Sequence, residues 1–228
     1  MTVTSVTSIT PEDRPLRRDA ERNRQRILDA ARELFAEEGL RVTLDAVAAR
    51  AGVGVGTVYR RFADKEALID ALFEARMDEV VEIAQRALAC DDPWAGVVLF
   101  FDEAMELHVA DRGLKELIFS TAHGRERVAG ARERIKPVVT QVVERAKASG
   151  QLRADFQTTD VPILQLMLTA VMEYTGDTDP RVWRRCLVLM LDGMRAEPGA
   201  RTPLPCTALS DGQLDAAMAR GLSSAPRR

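Results

Sequence analysis

The sequence predicts an all-α protein, and three observations carry that expectation. Apolar residues recur at three- and four-residue spacing through most of the chain. Two short stretches of that pattern are hinged at Gly52. Asp92-Pro93 and Asp179-Pro180 each place a capping residue before a proline that suits the first helical position. No alternating run of β-branched residues is long enough to propose a sheet.

The elements follow in order. Residues 1–18 are rich in Thr, Ser and Pro, then charged, and read as a disordered arm carrying Arg14, Arg17 and Arg18. A first helix follows from residue 19, with Ile27, Ala30, Ala31, Leu34 and Phe35 on one face and Gly39 ending it. Leu44, Val47, Ala48 and Ala51 form the apolar face of a short second helix. Gly52 supplies the turn, since glycine tolerates positive φ without steric cost. In the third helix Val58 and Phe62 are spaced to face the core, which leaves Thr57, Tyr59, Arg60 and Arg61 outside.

Asp64 is placed to cap a long helix reaching to about Ala89. A helix runs from Pro93 to about His108, and a shorter one spans Arg112 to Thr121. Another extends from Arg125 to Gly150, where Pro137 is expected to kink or split it. Asp160 can cap a helix to Tyr174, and the last large helix runs from Pro180 to about Arg195. Pro198, Pro203 and Pro205 make 197–207 a loop. Ser210 and Gln213 fit a capping box opening a weak surface helix to Leu222. Main helices number about nine, with no internal repeat.

At 228 residues the chain can bury a substantial core in one or two domains. Its net charge of −3 is unevenly spread. Residues 1–62 hold 11 Arg against 9 acidic residues, a balance of +2, and the remainder carries −5. Local positive charge of this kind suits steering to nucleic acid. Three distant cysteines, Cys90, Cys186 and Cys206, with no CxxC, fit reduced thiols rather than a disulfide framework. The first ten residues lack the basic and apolar regions of a signal peptide. The apolar run Val161 to Val171 is too short to span a bilayer. A cytoplasmic protein with no membrane association is the expectation.

The stretch from Thr43 to Phe62 is a helix-turn-helix whose second helix can enter a major groove. It resembles the TetR family of bacterial transcriptional regulators, and the resemblance runs over roughly residues 20 to 80. The first helix, Arg26 to Gly39, and the run Phe62-Ala63-Asp64-Lys65-Glu66-Ala67-Leu68 share in it. The resemblance implies a homodimer that binds a palindromic operator on double-stranded DNA. It further implies a helical domain that dimerises and holds a small lipophilic effector, most often in a repressor, and it implies no cofactor. The expected domains are an arm (1–18), the helix-turn-helix domain (19–64), an effector and dimerisation domain (65–196) and a Pro-rich tail (197–228).

Carried over residue by residue, the resemblance places Thr43 at a phosphate as well as at an N-cap. Thr57 and Tyr59 match positions that meet the DNA backbone, Tyr59 also touching a base in some members, and Lys65 matches a phosphate-contacting lysine. Gly54, Val55 and Arg61 depart from the usual pattern. Gly54 removes a side-chain cap from the reading helix, at a cost of a few tenths of a kcal/mol relative to Ser. Val55, next to Gly56, can touch a thymine methyl but cannot make the bidentate pairs that identify G or A. Arg61 adds a permanent charge where His is common. Arg60 is the candidate for a hydrogen bond to a base, with a phosphate as the alternative. Arg17, Arg18, Arg22 and Arg24 either reach the minor groove or form a solvated charge run.

In the C-terminal part, Leu164, Leu168, Trp183, Leu187, Met190, Leu191 and Met194 are the expected dimer residues. Val97, Phe101, Met105 and His108 on one helix, with Met167, Val171 and Tyr174 on another, are the expected effector stripes. An ordinary core is the plainer reading of both sets.

Other chemistries fit poorly. Gly52-Val53-Gly54-Val55-Gly56 lacks the spacing and the preceding strand of a nucleotide loop. His108 and His123 are too far apart for one metal-binding face, so no metal is expected. No GxSxG is present. The alternative function is a small-molecule-binding or catalytic helical protein with a non-functional helix-turn-helix.

Overall fold

Nine α-helices and one 3₁₀ turn make up the secondary structure among the described residues. The structure is a computed structural model and describes residues 13–110, 124–196 and 202–223. It divides into two units, Met1–Leu72 and Phe73–Arg228.

In the N-terminal unit, α1 spans Asp13–Glu38 and ends in the 3₁₀ turn Gly39–Arg41. The helix therefore starts inside the segment expected to be a disordered arm. Pro15 is compatible with this because it lies in the first turn, where backbone amides have no intrahelical acceptor. The arginine- and glutamate-rich run that follows is of good helix-forming type. Helices α2 (Leu44–Ala51) and α3 (Val55–Arg61) follow, and α1 and α3 each pack on α2. The predicted inward residues are inside. Ile27, Ala30, Ala31, Leu34 and Phe35 of α1 are buried, as are Leu44, Val47, Ala48 and Ala51 of α2, Val58 of α3 and Phe62 after it.

The long helix α4 covers Lys65–Ala89 and is capped as expected, with Asp64 Oδ1 accepting from the Ala67 amide at 2.8 Å. The division between the units falls within it, after Leu72, whereas the sequence places the domain boundary at Asp64. Buried Leu68, Ile69 and Leu72 belong with the N-terminal unit, so the first turns of α4 complete that small core.

The C-terminal unit is built on α5 (Pro93–Ala110), which packs on α6 (Gly124–Ala148), α7 (Asp160–Thr175) and α8 (Val182–Met194). Its core joins Ala84 and Ala87 of α4, Phe101 and Met105 of α5, Val142 and Ala146 of α6, and Trp183 and Leu187 of α8. One close approach fixes the start of α5. A Cβ on Gly96 would stand 2.3 Å from the Ala87 carbonyl oxygen, so only glycine lets the two backbones meet there.

Helix α6 contains Pro137 and is not split by it. Gly150, at φ +71°, ends the helical path and turns the chain. Residues 152 and 195 then form an isolated antiparallel bridge, with the Arg153 amide donating to the Met194 carbonyl at 3.0 Å. Asp160 does not cap α7 through its side chain. It is the first helical residue, and its carboxylate accepts from the Gln157 amide at 2.8 Å.

Beyond the loop, α9 (Asp211–Ser223) opens with the expected capping box. The Ser210 amide donates to Gln213 Oε1 at 2.9 Å, and the Gln213 amide donates to Ser210 Oγ at 3.4 Å. Lys136 Nζ binds Asp211 at 2.7 Å and Leu214 is buried, so this helix is anchored rather than weak. The expected helix Arg112–Thr121 lies outside the described residues. No described helix is long and apolar enough to cross a membrane.

Candidate nucleic-acid interface

The turn between α2 and α3 follows from local chemistry. Thr43 is the N-cap of α2, and its Oγ1 accepts from the Ala46 amide at 3.2 Å. At the other end Gly52 adopts φ 63°, ψ 40°, and the Val53 amide returns to the Ala48 carbonyl at 3.1 Å. That left-handed residue stops α2 and lets α3 leave in a new direction. Arg26 of α1 donates to the Gly52 carbonyl at 3.4 Å, which ties the turn to the first helix.

With Val58 and Phe62 buried, α3 must present its opposite side to solvent. Val55 is 45% exposed and Tyr59 49% exposed, and Gly56, Arg60 and Arg61 are exposed beside them. Residues four apart on a helix share a face, so Val55 with Tyr59 and Gly56 with Arg60 form one continuous outward surface. Thr57 is only half-buried. Its hydroxyl accepts from Arg60 Nη2 at 3.4 Å, which draws Arg60 across the helix surface. Gly54 is the N-cap of α3 and makes no side-chain cap, as its missing side chain requires.

Several acidic groups of this unit are engaged away from α3. Arg50 bridges Glu33 at 3.2 Å and Glu37 at 2.9 Å, joining the end of α2 to α1. Its guanidinium holds the Glu37 carboxyl below the ordinary value, first through the hydrogen bond and then through charge. Asp19 pairs with Arg22, and Asp29 accepts from Gln25 at 2.8 Å. Arg60 has no carboxylate partner among the described residues, so its charge remains available at the outward face. This arrangement can meet phosphates with Arg60 and Thr43 and base edges with the first turns of α3.

Arg61 is exposed, and its Nη2 donates to the Ala20 carbonyl of α1 at 3.3 Å. Lys65 is half-buried at the start of α4. The Arg17 and Arg18 side chains lie outside the described residues.

The two C-terminal residue sets are placed differently from expectation. Leu168, Trp183, Leu187, Leu191 and Met194, expected at a dimer interface, are buried in the core of the protomer itself. Leu164 and Met190 are half-buried against that core. The exposed apolar side of the packed α7–α8 pair is instead Leu166, Met167, Tyr174, Val188 and Leu189. Helical spacing identifies a stripe but not which of two apolar sides turns inward, which explains the exchange.

The same reason separates the effector stripes. Val97, Phe101 and Met105 are fully enclosed, Val171 is half-buried, and His108 is exposed with its ring Nδ1 2.8 Å from the Ala104 carbonyl. Met167 and Tyr174 point to solvent and cannot line a cavity with Phe101. A shallow cleft of about 290 Å³ opens elsewhere, lined by Glu79, Glu82, Ile83, Arg86, Glu103, Glu106 and Leu107. Ion pairs Arg86–Glu103 and Arg184–Glu106 occupy part of its rim. No cluster of metal-ligating side chains occurs among the described residues.

Residues 27–72 match the bacterial regulatory proteins of the tetR family, and residues 92–196 match the C-terminal domain of SbtR-like transcriptional regulators. A TetR transcription regulatory protein of Mycobacterium vanbaalenii with a solved structure is 34% identical. The match covers 79% of this chain and 99% of that one, with a TM-score of 0.63. A TetR transcriptional regulator of Streptomyces coelicolor is 29% identical over 76% of this chain and 98% of its own, with a TM-score of 0.61. An HTH-type transcriptional regulator of Staphylococcus aureus is 41% identical over 64 residues. That match covers 28% of this chain and 35% of the relative's length, so the chain spans about a third of that relative.

Proposed function

The chain belongs to the TetR family of bacterial regulatory proteins, and from that membership we propose a homodimeric, sequence-specific DNA-binding regulator acting in the cytoplasm. In this reading it is a repressor that holds a palindromic operator and leaves it when a small lipophilic effector binds. The observation that carries the reading is the outward face of α3. A seven-residue helix held by buried Val58 and a glycine turn exposes Val55, Gly56, Tyr59 and Arg60 together, with no acidic side chain among them.

Dimerisation is supported by the α7–α8 surface. Leu166, Met167, Val188 and Leu189 are each more than half exposed in the lone protomer, and Tyr174 is 94% exposed. Large apolar side chains gathered on adjacent helices mark a surface that a partner covers. A second copy of the same pair covers it best, because a two-fold axis makes such a surface self-complementary. Two copies then present two α3 helices, and the half-sites of the operator lie about one helical turn apart or a multiple of it.

The effector is assigned to the C-terminal unit as a whole, on the match over residues 92–196, and not to the stripes of Phe101 and Met167. An effector that releases DNA binds the DNA-free form more tightly by the same factor.

The test is a mobility shift on the DNA flanking the chain's own gene, at rising salt, with wild type and Arg60→Ala. The reading expects a retarded band that a scrambled duplex does not give. It expects log affinity to fall linearly with log salt and the Arg60 variant to bind more weakly. Equal retardation of all duplexes, or none at physiological salt, would set the reading aside. A non-functional helix-turn-helix predicts that second outcome.

A further inference from the structure

We infer that this protein reads thymine through its 5-methyl group, with Val55 as the reading side chain. The inference rests on the DNA-binding reading above and deepens it by naming the base.

Helix α3 shows an outward face with an apolar first residue. Val55 and Tyr59 lie four residues apart on that face, each about half exposed at 45% and 49%. Gly56 has nothing within 4 Å of the point where a Cβ would stand. The face therefore carries a notch beside the Val55 isopropyl group, and a base edge can close in without meeting a side chain.

Two polar side chains of the helix make contacts within the protein. The Thr57 hydroxyl accepts from Arg60, and the Arg61 guanidinium donates to the Ala20 carbonyl of α1. Neither of the first two helical residues, Val55 or Gly56, offers a side-chain hydrogen bond. A bidentate contact to guanine or adenine needs Arg, Lys, Asn or Gln there, and none is present. In the major groove the apolar group on a base edge is the thymine methyl. In a helix-turn-helix the first residues of the second helix are those that meet base edges. Apolar side chain, open notch and missing polar readers thus converge on one base. Arg60, one turn further along, is left for a hydrogen bond outside this contact.

The experiment starts from duplexes that the full-length protein recovers from a random pool. The recovered duplex is remade with deoxyuridine in place of thymidine, one position at a time, which removes the methyl and leaves the pairing intact. Loss of one buried methyl corresponds to about four-fold in Kd. At one or more thymines in each half-site the wild type should lose about four-fold, and Val55→Ala should lose nothing further there. Val55 is exposed, so its variant should melt with the wild type, which keeps the comparison clean. The inference is overturned if deoxyuridine is tolerated at every position, or if Val55→Ala retains the full penalty. A pool that yields no duplex overturns the DNA-binding reading and this inference together, whereas a recovered duplex indifferent to deoxyuridine overturns the inference alone.

Discussion

At the scale of single residues, Gly52 determines whether α3 is presented at all. Its φ of 63° is unfavourable for any side chain, and a Cβ there would stand 2.9 Å from Arg26 Nη2. Gly52→Ala should therefore cost about 1–2 kcal/mol from the left-handed conformation, and the displaced guanidinium adds to it. The melting temperature should fall by several degrees in a calorimetric scan, and an unchanged melt would show that the turn relaxes into another conformation. Residue chemistry of this local kind was legible in the sequence. The Thr43 and Asp64 caps, the Gly52 turn and the Ser210–Gln213 box all involve partners three or four positions away. Arg50 with Glu33 and Glu37, and Arg61 with Ala20, were not legible, because their partners are 13 to 41 positions distant. Only the packing of α1 on its neighbours brings them together.

At the scale of elements, the helices and their order follow from periodicity and punctuation, while their rotation about their own axes does not. The pair α7 and α8 shows why. Both helices are apolar on more than one side, so the a/d-like spacing of Trp183, Leu187, Leu191 and Met194 identified a real stripe and assigned it to the wrong neighbour. That stripe is the protomer's core, and Val188 and Leu189 lie on the other side. The two sides make opposite predictions. Met167→Glu or Leu189→Glu should halve the mass seen by light scattering while leaving the melting curve nearly unchanged. Leu187→Glu puts a charge among Trp183, Leu191 and their core neighbours and should unfold the protein. A dimer that survives both surface substitutions would move the interface elsewhere. Gly96 adds a second limit on legibility. Nothing in its sequence neighbourhood announces the 2.3 Å approach to Ala87, since that constraint exists only once α4 and α5 are packed.

At the scale of the whole molecule, burial is divided between two units, and positive charge is concentrated near the start of the chain. The first 62 residues carry +2 in a chain of net −3, and part of their acid is engaged by Arg22 and Arg50 rather than set against α3. The C-terminal unit encloses its own core and leaves an apolar α7–α8 surface outside it. In the proposed reading, a DNA-binding helix and a self-associating surface in one chain make a two-fold molecule with two reading helices. The most direct test is the mass, by sedimentation at physiological salt, of the complex formed on a duplex recovered from a random pool. The account predicts two 25.2 kDa protomers on one duplex bearing inverted half-sites. A single protomer bound with full affinity, or equal binding to a duplex of unrelated sequence, would contradict it.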